Sequence, residues 1–146
     1  MKKALKMTLR CRVTSSPEVM WQSHTQELFL ALKPPLVPLK LLRFDGCKTG
    51  DEVHLQVSGQ LWVSVITEAF KTPQECRFVD EGKVLPFPLR YWRHAHIMRQ
   101  EESGPVMIDA IEFSSGRRWL DFILWPLLWP SFKWRHPIYR RLWGKP

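Results

Sequence analysis

Five of the eight tryptophans in this 146-residue chain fall in its last 28 residues, and three prolines, Pro126, Pro130 and Pro137, stand between the first and last of them. The run is Trp119-Leu-Asp-Phe-Ile-Leu-Trp-Pro-Leu-Leu-Trp-Pro-Ser-Phe-Lys-Trp-Arg-His-Pro-Ile-Tyr-Arg-Arg-Leu-Trp143. So much aromatic and aliphatic surface must be covered by the chain's own sheet, a bilayer, a ligand or a partner. Its apolar part, Trp119 to Phe132, holds Asp121, Pro126 and Pro130 and is shorter than the roughly 20 residues a membrane-crossing helix needs. Trp125 and Trp129, four apart, share one helical face, so the stretch up to about Trp129 reads as a wall packed on a sheet. Lys133 to Trp143 interleaves bases with aromatics and reads as a surface without an assigned cover.

Ahead of this tail the pattern changes to alternation. Leu5, Met7, Leu9, Cys11 and Val13 are separated by Lys6, Thr8, Arg10 and Arg12, which predicts a half-buried strand. Ser15-Ser-Pro-Glu18 supplies a serine cap, an early proline and a first-turn acid for one or two short helices ending before Pro34-Pro35. Strands are predicted over 39–44, 53–57 and 61–67, the last two joined by a tight turn at Gly59-Gln60. Further strands follow over 76–80, 91–99 and 106–113, with a turn at Pro86-Phe-Pro88. The order is strand, helices, antiparallel strands and terminal helix: an α+β layout, read as one domain over residues 1–146.

Net charge is +8, gathered at the ends: Lys2, Lys3, Lys6, Arg10 and Arg12 at one, Arg117, Arg118, Lys133, Arg135, Arg140, Arg141 and Lys145 at the other. Such a field attracts the phosphates of anionic lipid or nucleic acid. Cys11, Cys47 and Cys76 form no CxxC pair and suit buried, reduced thiols. The basic start lacks an apolar run after it, so no export signal is expected and the location expected is cytoplasmic, with room for peripheral membrane contact.

The words Pro34-Pro35-Leu-Val-Pro38, Leu42-Arg-Phe-Asp-Gly46, Gly50-Asp-Glu-Val53, Trp62-Val-Ser-Val-Ile-Thr67, Phe78-Val-Asp80, Leu85-Pro-Phe87, Tyr91-Trp-Arg-His-Ala-His-Ile97 and Ile108-Asp-Ala-Ile111 occur in this order. Together they resemble the SRPBCC (START-like) superfamily, and within it a small bacterial group of ligand-binding, polyketide cyclase/dehydrase-like proteins, from about Lys6 to Trp143. The resemblance implies a helix-grip fold: a curved antiparallel sheet wrapped around a C-terminal helix, with two short helices after the first strand and a deep apolar cavity between sheet and helix. Members range from lipid binders to cyclases, so the fold leaves the chemistry open. Pro126, Pro130 and Pro137 predict a kinked or segmented grip helix.

His94 and His96 stand two apart on a predicted strand and share a face with Trp92 and Met98. They can contact a cavity ligand, serve acid/base chemistry, or offer two metal ligands beside Asp109. No cysteine or third histidine lies at metal spacing, so no metal and no cofactor are assigned. Arg43 can meet a ligand carboxylate or phosphate, and Trp62, Trp92 and Trp125 complete the candidate wall. Asp45 and Asp80 read as turn residues. There is no Gly-x-Ser-x-Gly elbow, adjacent cysteine–histidine pair or glycine-rich phosphate loop. The leading expectation is binding of an apolar small molecule or lipid; the second is a cyclase- or dehydratase-type enzyme using His94, His96 and Asp109. The third is a membrane or partner surface built from Lys133, Trp134, Arg135, Tyr139, Arg140, Arg141 and Trp143, with nucleic acid the less favoured partner.

Overall fold

The computed structural model describes residues 3–146, so Lys2 of the N-terminal basic group lies outside the described residues. Strand β1 (Leu5–Arg12) is followed by two short helices, α1 (Pro17–Gln22) and α2 (Gln26–Ala31). Their starts are capped as the sequence predicts for the first: Ser16 Oγ accepts from the Val19 amide, and Thr25 Oγ1 does the same for Leu28. Six further strands follow: β2 (Leu39–Phe44), β3 (Glu52–Val57), β4 (Gln60–Lys71), β5 (Glu75–Val84), β6 (Tyr91–Glu101) and β7 (Gly104–Ser114). The chain ends in α3 (Arg118–Lys133) and α4 (Arg135–Trp143).

All seven strands form one antiparallel, unclosed sheet in the order β1-β7-β6-β5-β4-β3-β2. Register shifts in β2, in β4 and in β5 bend it into a trough. The β3–β4 turn is Ser58-Gly59, one residue earlier than predicted, with both residues at positive φ and Gln60 already paired to Val57. Alternation sends Met7, Leu9, Cys11, Trp92, Met98, Met107, Ile111 and Phe113 to the concave face and Val79, Ala95, Ile97, Val106 and Ile108 to the other.

The terminal helix lies in the trough, and its division into two matches the expected segmentation at a different point. α3 runs through Pro126 and Pro130, and the bend falls at Trp134. Beyond the bend, His136, Tyr139 and Trp143 recur at spacings of three and four and face inward. Tyr139 and Trp143 are 0% and 1% exposed and pack with Cys11, Val13, Met20, Met98 and Met107. The Trp143 carbonyl accepts from the amides of Thr14 and Ser15 and from Thr14 Oγ1, which ties the end of α4 to the chain just after β1.

This corrects the expected division of the tail. Tyr139 and Trp143 of the last segment are core while Trp134 at the bend stays exposed, because burying each of the two contributes roughly 3 kcal/mol before entropic costs and the bend lets α4 reach the sheet. Conversely α3, expected to be wall alone, buries Phe132, half-buries Leu124, Trp125 and Leu128, and leaves a second apolar stripe outside. Among the described residues no helix is long and apolar enough to cross a membrane.

Candidate functional site

Sheet, α2 and the middle of the terminal helix line a partly open chamber of about 260 Å³. Its walls are apolar: Leu28 and Leu32 from α2, Leu55, Trp62 and Ile66 from β3 and β4, and Phe132 from α3 are among them. Trp62 and Trp92 meet edge to face at 4.9 Å on this wall. The carboxylate, guanidinium and imidazole lining is concentrated on one floor, made by Asp80 of β5 and by His94 and His96 of β6, with Arg135 above them and His24 beside them; Thr25, Ser64 and Ser131 add hydroxyls elsewhere.

The floor follows from register. Asp80 pairs with His94 across one ladder and His96 with Asp109 across the next, so all four project to the concave face. Each histidine then reaches diagonally. His94 Nε2 lies 2.8 Å from Asp109 Oδ1, and His96 Nε2 lies 2.7 Å from Asp80 Oδ2. The imidazoles stack at 3.7 Å, and His96 stacks in turn on Phe78 at 4.1 Å. Asp109, 1% exposed, also accepts from Tyr139 Oη at 2.9 Å and from Arg135 Nη1 at 3.3 Å. The α4 segment is thus bound to the floor through a buried charge with donors on both oxygens.

The surroundings set the protonation states. Burial raises the Asp109 carboxyl, but the His94 hydrogen bond and the Arg135 charge outweigh it and hold the group well below the carboxylate range. Asp80 is lowered in the same way: the hydrogen bond and charge of His96 overcome burial. Burial pushes Tyr139 up, and the adjacent Asp109 adds to the shift. His96 is pushed down to about 4 by burial and then by His94; His24 is pushed down to about 4 by burial and then by His96. Both are therefore neutral near pH 7. His24 Nδ1 bonds the Met20 carbonyl at 2.8 Å and must carry the proton, so its Nε2 is an acceptor. That Nε2 and His96 Nδ1 are buried without a hydrogen-bond partner.

Of the residues singled out from sequence, Trp62, Trp92, His94 and His96 line the chamber, and Asp109 lies directly behind His94. Arg43 does not line it; half exposed, it holds Asp45 by two 2.8 Å bonds. Trp125 packs between α3 and β1, its Nε1 donating to the Lys6 carbonyl at 3.4 Å, and does not line the chamber. Arg135, expected on the surface, is turned inward onto Asp109, whereas Lys133, Trp134, Arg140 and Arg141 remain exposed. Asp80 is corrected from turn to floor. Its Asp-Glu-Gly context suggests a turn, but it stands two and four residues after Phe78 and Cys76, which is the signal for the inner face. Nothing in the local sequence marks His24, which sits between two helices.

A curved sheet closed by a bent terminal helix over an apolar chamber defines a helix-grip-like fold. The chain matches no protein-family model and no curated protein. Solved structures bear out the fold. CV1439 from Chromobacterium violaceum superposes with a TM-score of 0.60 at 16% identity, over 97% of this chain and 98% of that one. The hypothetical protein jhp0584 from Helicobacter pylori gives 0.64 at 9% identity, over 90% and 82%. Ara h 8.0201 gives 0.55 at 8% identity, over 92% and 97%. At these identities the likeness is one of fold.

Proposed function

We propose that the protein binds one apolar small molecule carrying a single polar group, held in the chamber between sheet and terminal helix. The observation that supports this reading is the segregation of the lining: walls that are mainly apolar, with the hydroxyls of Thr25, Ser64 and Ser131 already bonded within the protein, and the carboxylate, guanidinium and imidazoles gathered at one floor. The chamber's volume of about 260 Å³ falls just below the usual range for small-molecule sites, about 300–1,000 Å³, and so favours a small ligand. Apolar burial supplies affinity, while His96, Asp80 and Arg135 orient the polar group, since a partner left unmatched there is costly. Native mass spectrometry before and after delipidation tests it, followed by re-addition of a medium-chain fatty acid and the matching alcohol. A one-to-one adduct is expected in the wild type and is lost in Leu55→Trp, which fills the chamber. Failure of the delipidated, folded chain to take up either probe overturns the reading.

A second reading concerns the outside of α3. Trp119, Phe122, Ile123 and Leu127 are 60%, 59%, 52% and 66% exposed and form one stripe at helical spacing. Basic side chains border it: Arg118 lies over Phe122 at 5.3 Å and Lys133 over Trp129 at 5.9 Å. This favours contact with an anionic membrane surface through α3 in place of the α4 aromatics. Vesicle co-sedimentation tests it.

A further inference from the structure

We infer that Asp80, His94 and His96 form a binding site for a divalent transition cation of the zinc type on the chamber floor, with Asp109 as the carboxylate that orients the histidines. One donor atom from each of the three residues falls within 4.8 Å of the others, compact enough for a single ion to be reached by small side-chain rotations. Asp80 Oδ2 lies 2.7 Å from His96 Nε2 and 3.9 Å from His94 Nδ1. Two imidazole nitrogens and one carboxylate oxygen suit a borderline cation better than magnesium or calcium, which take oxygen ligands.

The surroundings of the two rings carry the inference further. His94 gives Nε2–H to Asp109, which leaves Nδ1, on the side of Asp80, as its nitrogen available to a cation. A histidine fixed through one nitrogen by a buried carboxylate, with the other nitrogen free to coordinate, is the usual arrangement around a metal ligand. His96 completes the pattern. Its Nδ1 is buried and unpaired, 3.9 Å from Asp109 Oδ1, where a lone pair faces a carboxylate oxygen. A cation on His96 Nε2 displaces the proton from that nitrogen and favours the tautomer with Nδ1–H, which turns the unfavourable contact with Asp109 into an attractive one. Both histidines then present their second nitrogen to the same carboxylate.

Charge balance points the same way. The floor holds two carboxylates, Asp80 and Asp109, against one guanidinium, Arg135, whose contact is with Asp109. Asp80 has the two imidazoles, and no guanidinium or ammonium group, in direct contact inside an apolar chamber, where an uncompensated charge is costly. A divalent ion at Asp80 removes that cost. With three protein ligands, a fourth tetrahedral position faces the chamber and can take water or an anionic ligand group.

The test uses the full chain stripped with a chelator and zinc ion alone as the probe. Calorimetry is expected to give one site per chain. Asp80→Asn and His96→Gln each weaken it by more than about 100-fold, and Asp109→Asn by about 10–100-fold, the usual loss for an orienting carboxylate. His54→Gln, on β3 and paired to Glu52, leaves it unchanged. Should the floor variants fail to fold, imidazole ¹⁵N spectra of the wild type decide: zinc must shift the coordinating nitrogens of His94 and His96. The proposal is overturned if the folded chain binds no zinc stoichiometrically, if folded floor variants bind as the wild type does, or if only His24, His54 or His136 responds. None of these readouts depends on an apolar ligand being present.

Discussion

His24 shows how one residue links the first helices to the floor. Its Nδ1–H closes α1 on the Met20 carbonyl while the ring stands edge-on to Phe78 and His96. Folding lowers its pKa from 6.5 to about 4, through burial first and His96 second. Below about pH 6.5 the unfolded chain takes up a proton that the folded chain refuses, so this contribution is present above that pH and is lost as pH falls towards about 4. The expected outcome is a urea midpoint that drops between about pH 7 and pH 5, with a shallower drop in His24→Gln; equal slopes for the two proteins count against it. The part of the site that was legible in sequence is the part that obeys strand alternation: His94 and His96 share a face because they stand two apart, and Asp109 joins them through the β6–β7 register. Asp80 was obscured by turn-like neighbours. Arg135 and Tyr139 were obscured because their direction depends on the bend at Trp134, a tertiary event.

Among the elements, α3 departs furthest from its local preferences. Pro126 and Pro130 each remove a backbone donor from the helix interior, yet both are exposed on its outer side, where water can satisfy the freed carbonyls. The bend falls instead just ahead of Pro137, which sits in the first turn of α4 where its missing N–H costs little. Proline count thus announced a broken helix without locating the break. The start of α3 is equally unusual, since Arg117 at its cap position offers no side-chain acceptor. Asp121, 2% exposed, takes that role by reaching back to accept from the Ser115 amide at 2.7 Å and Ser115 Oγ at 2.6 Å. Asp121→Ala strands the Ser115 amide in a buried turn and leaves Ser115 Oγ only the Arg117 carbonyl at 3.1 Å. It is expected to lower the unfolding free energy by about 2–3 kcal/mol, measurable by denaturant titration, whereas Glu27→Ala on the exposed side of α2 is expected to change it by under about 0.5 kcal/mol.

For the whole molecule, charge and apolar surface coincide at the same place. Of the +8 net charge, Arg117, Arg118 and Lys133 stand at the two ends of α3, and its one acidic residue, Asp121, is buried. A 16-residue helix is about 24 Å long, so the exposed stripe and its bordering bases offer a face that can lie flat at a lipid headgroup layer. Each base near an anionic surface adds about 1 kcal/mol, and that part is screened by salt, while the aromatic part is not. Cosedimentation with phosphatidylserine-containing vesicles is therefore expected to fall but not vanish as salt is raised. Phe122→Ser with Leu127→Ser should remove the salt-resistant part, and Arg118→Ser with Lys133→Ser the salt-sensitive part. These side chains are exposed, so the variants should fold as the wild type does. Binding to neutral and anionic vesicles alike would leave the bases without a role, and no binding at low salt would remove the membrane reading while the chamber and its floor stood unaffected.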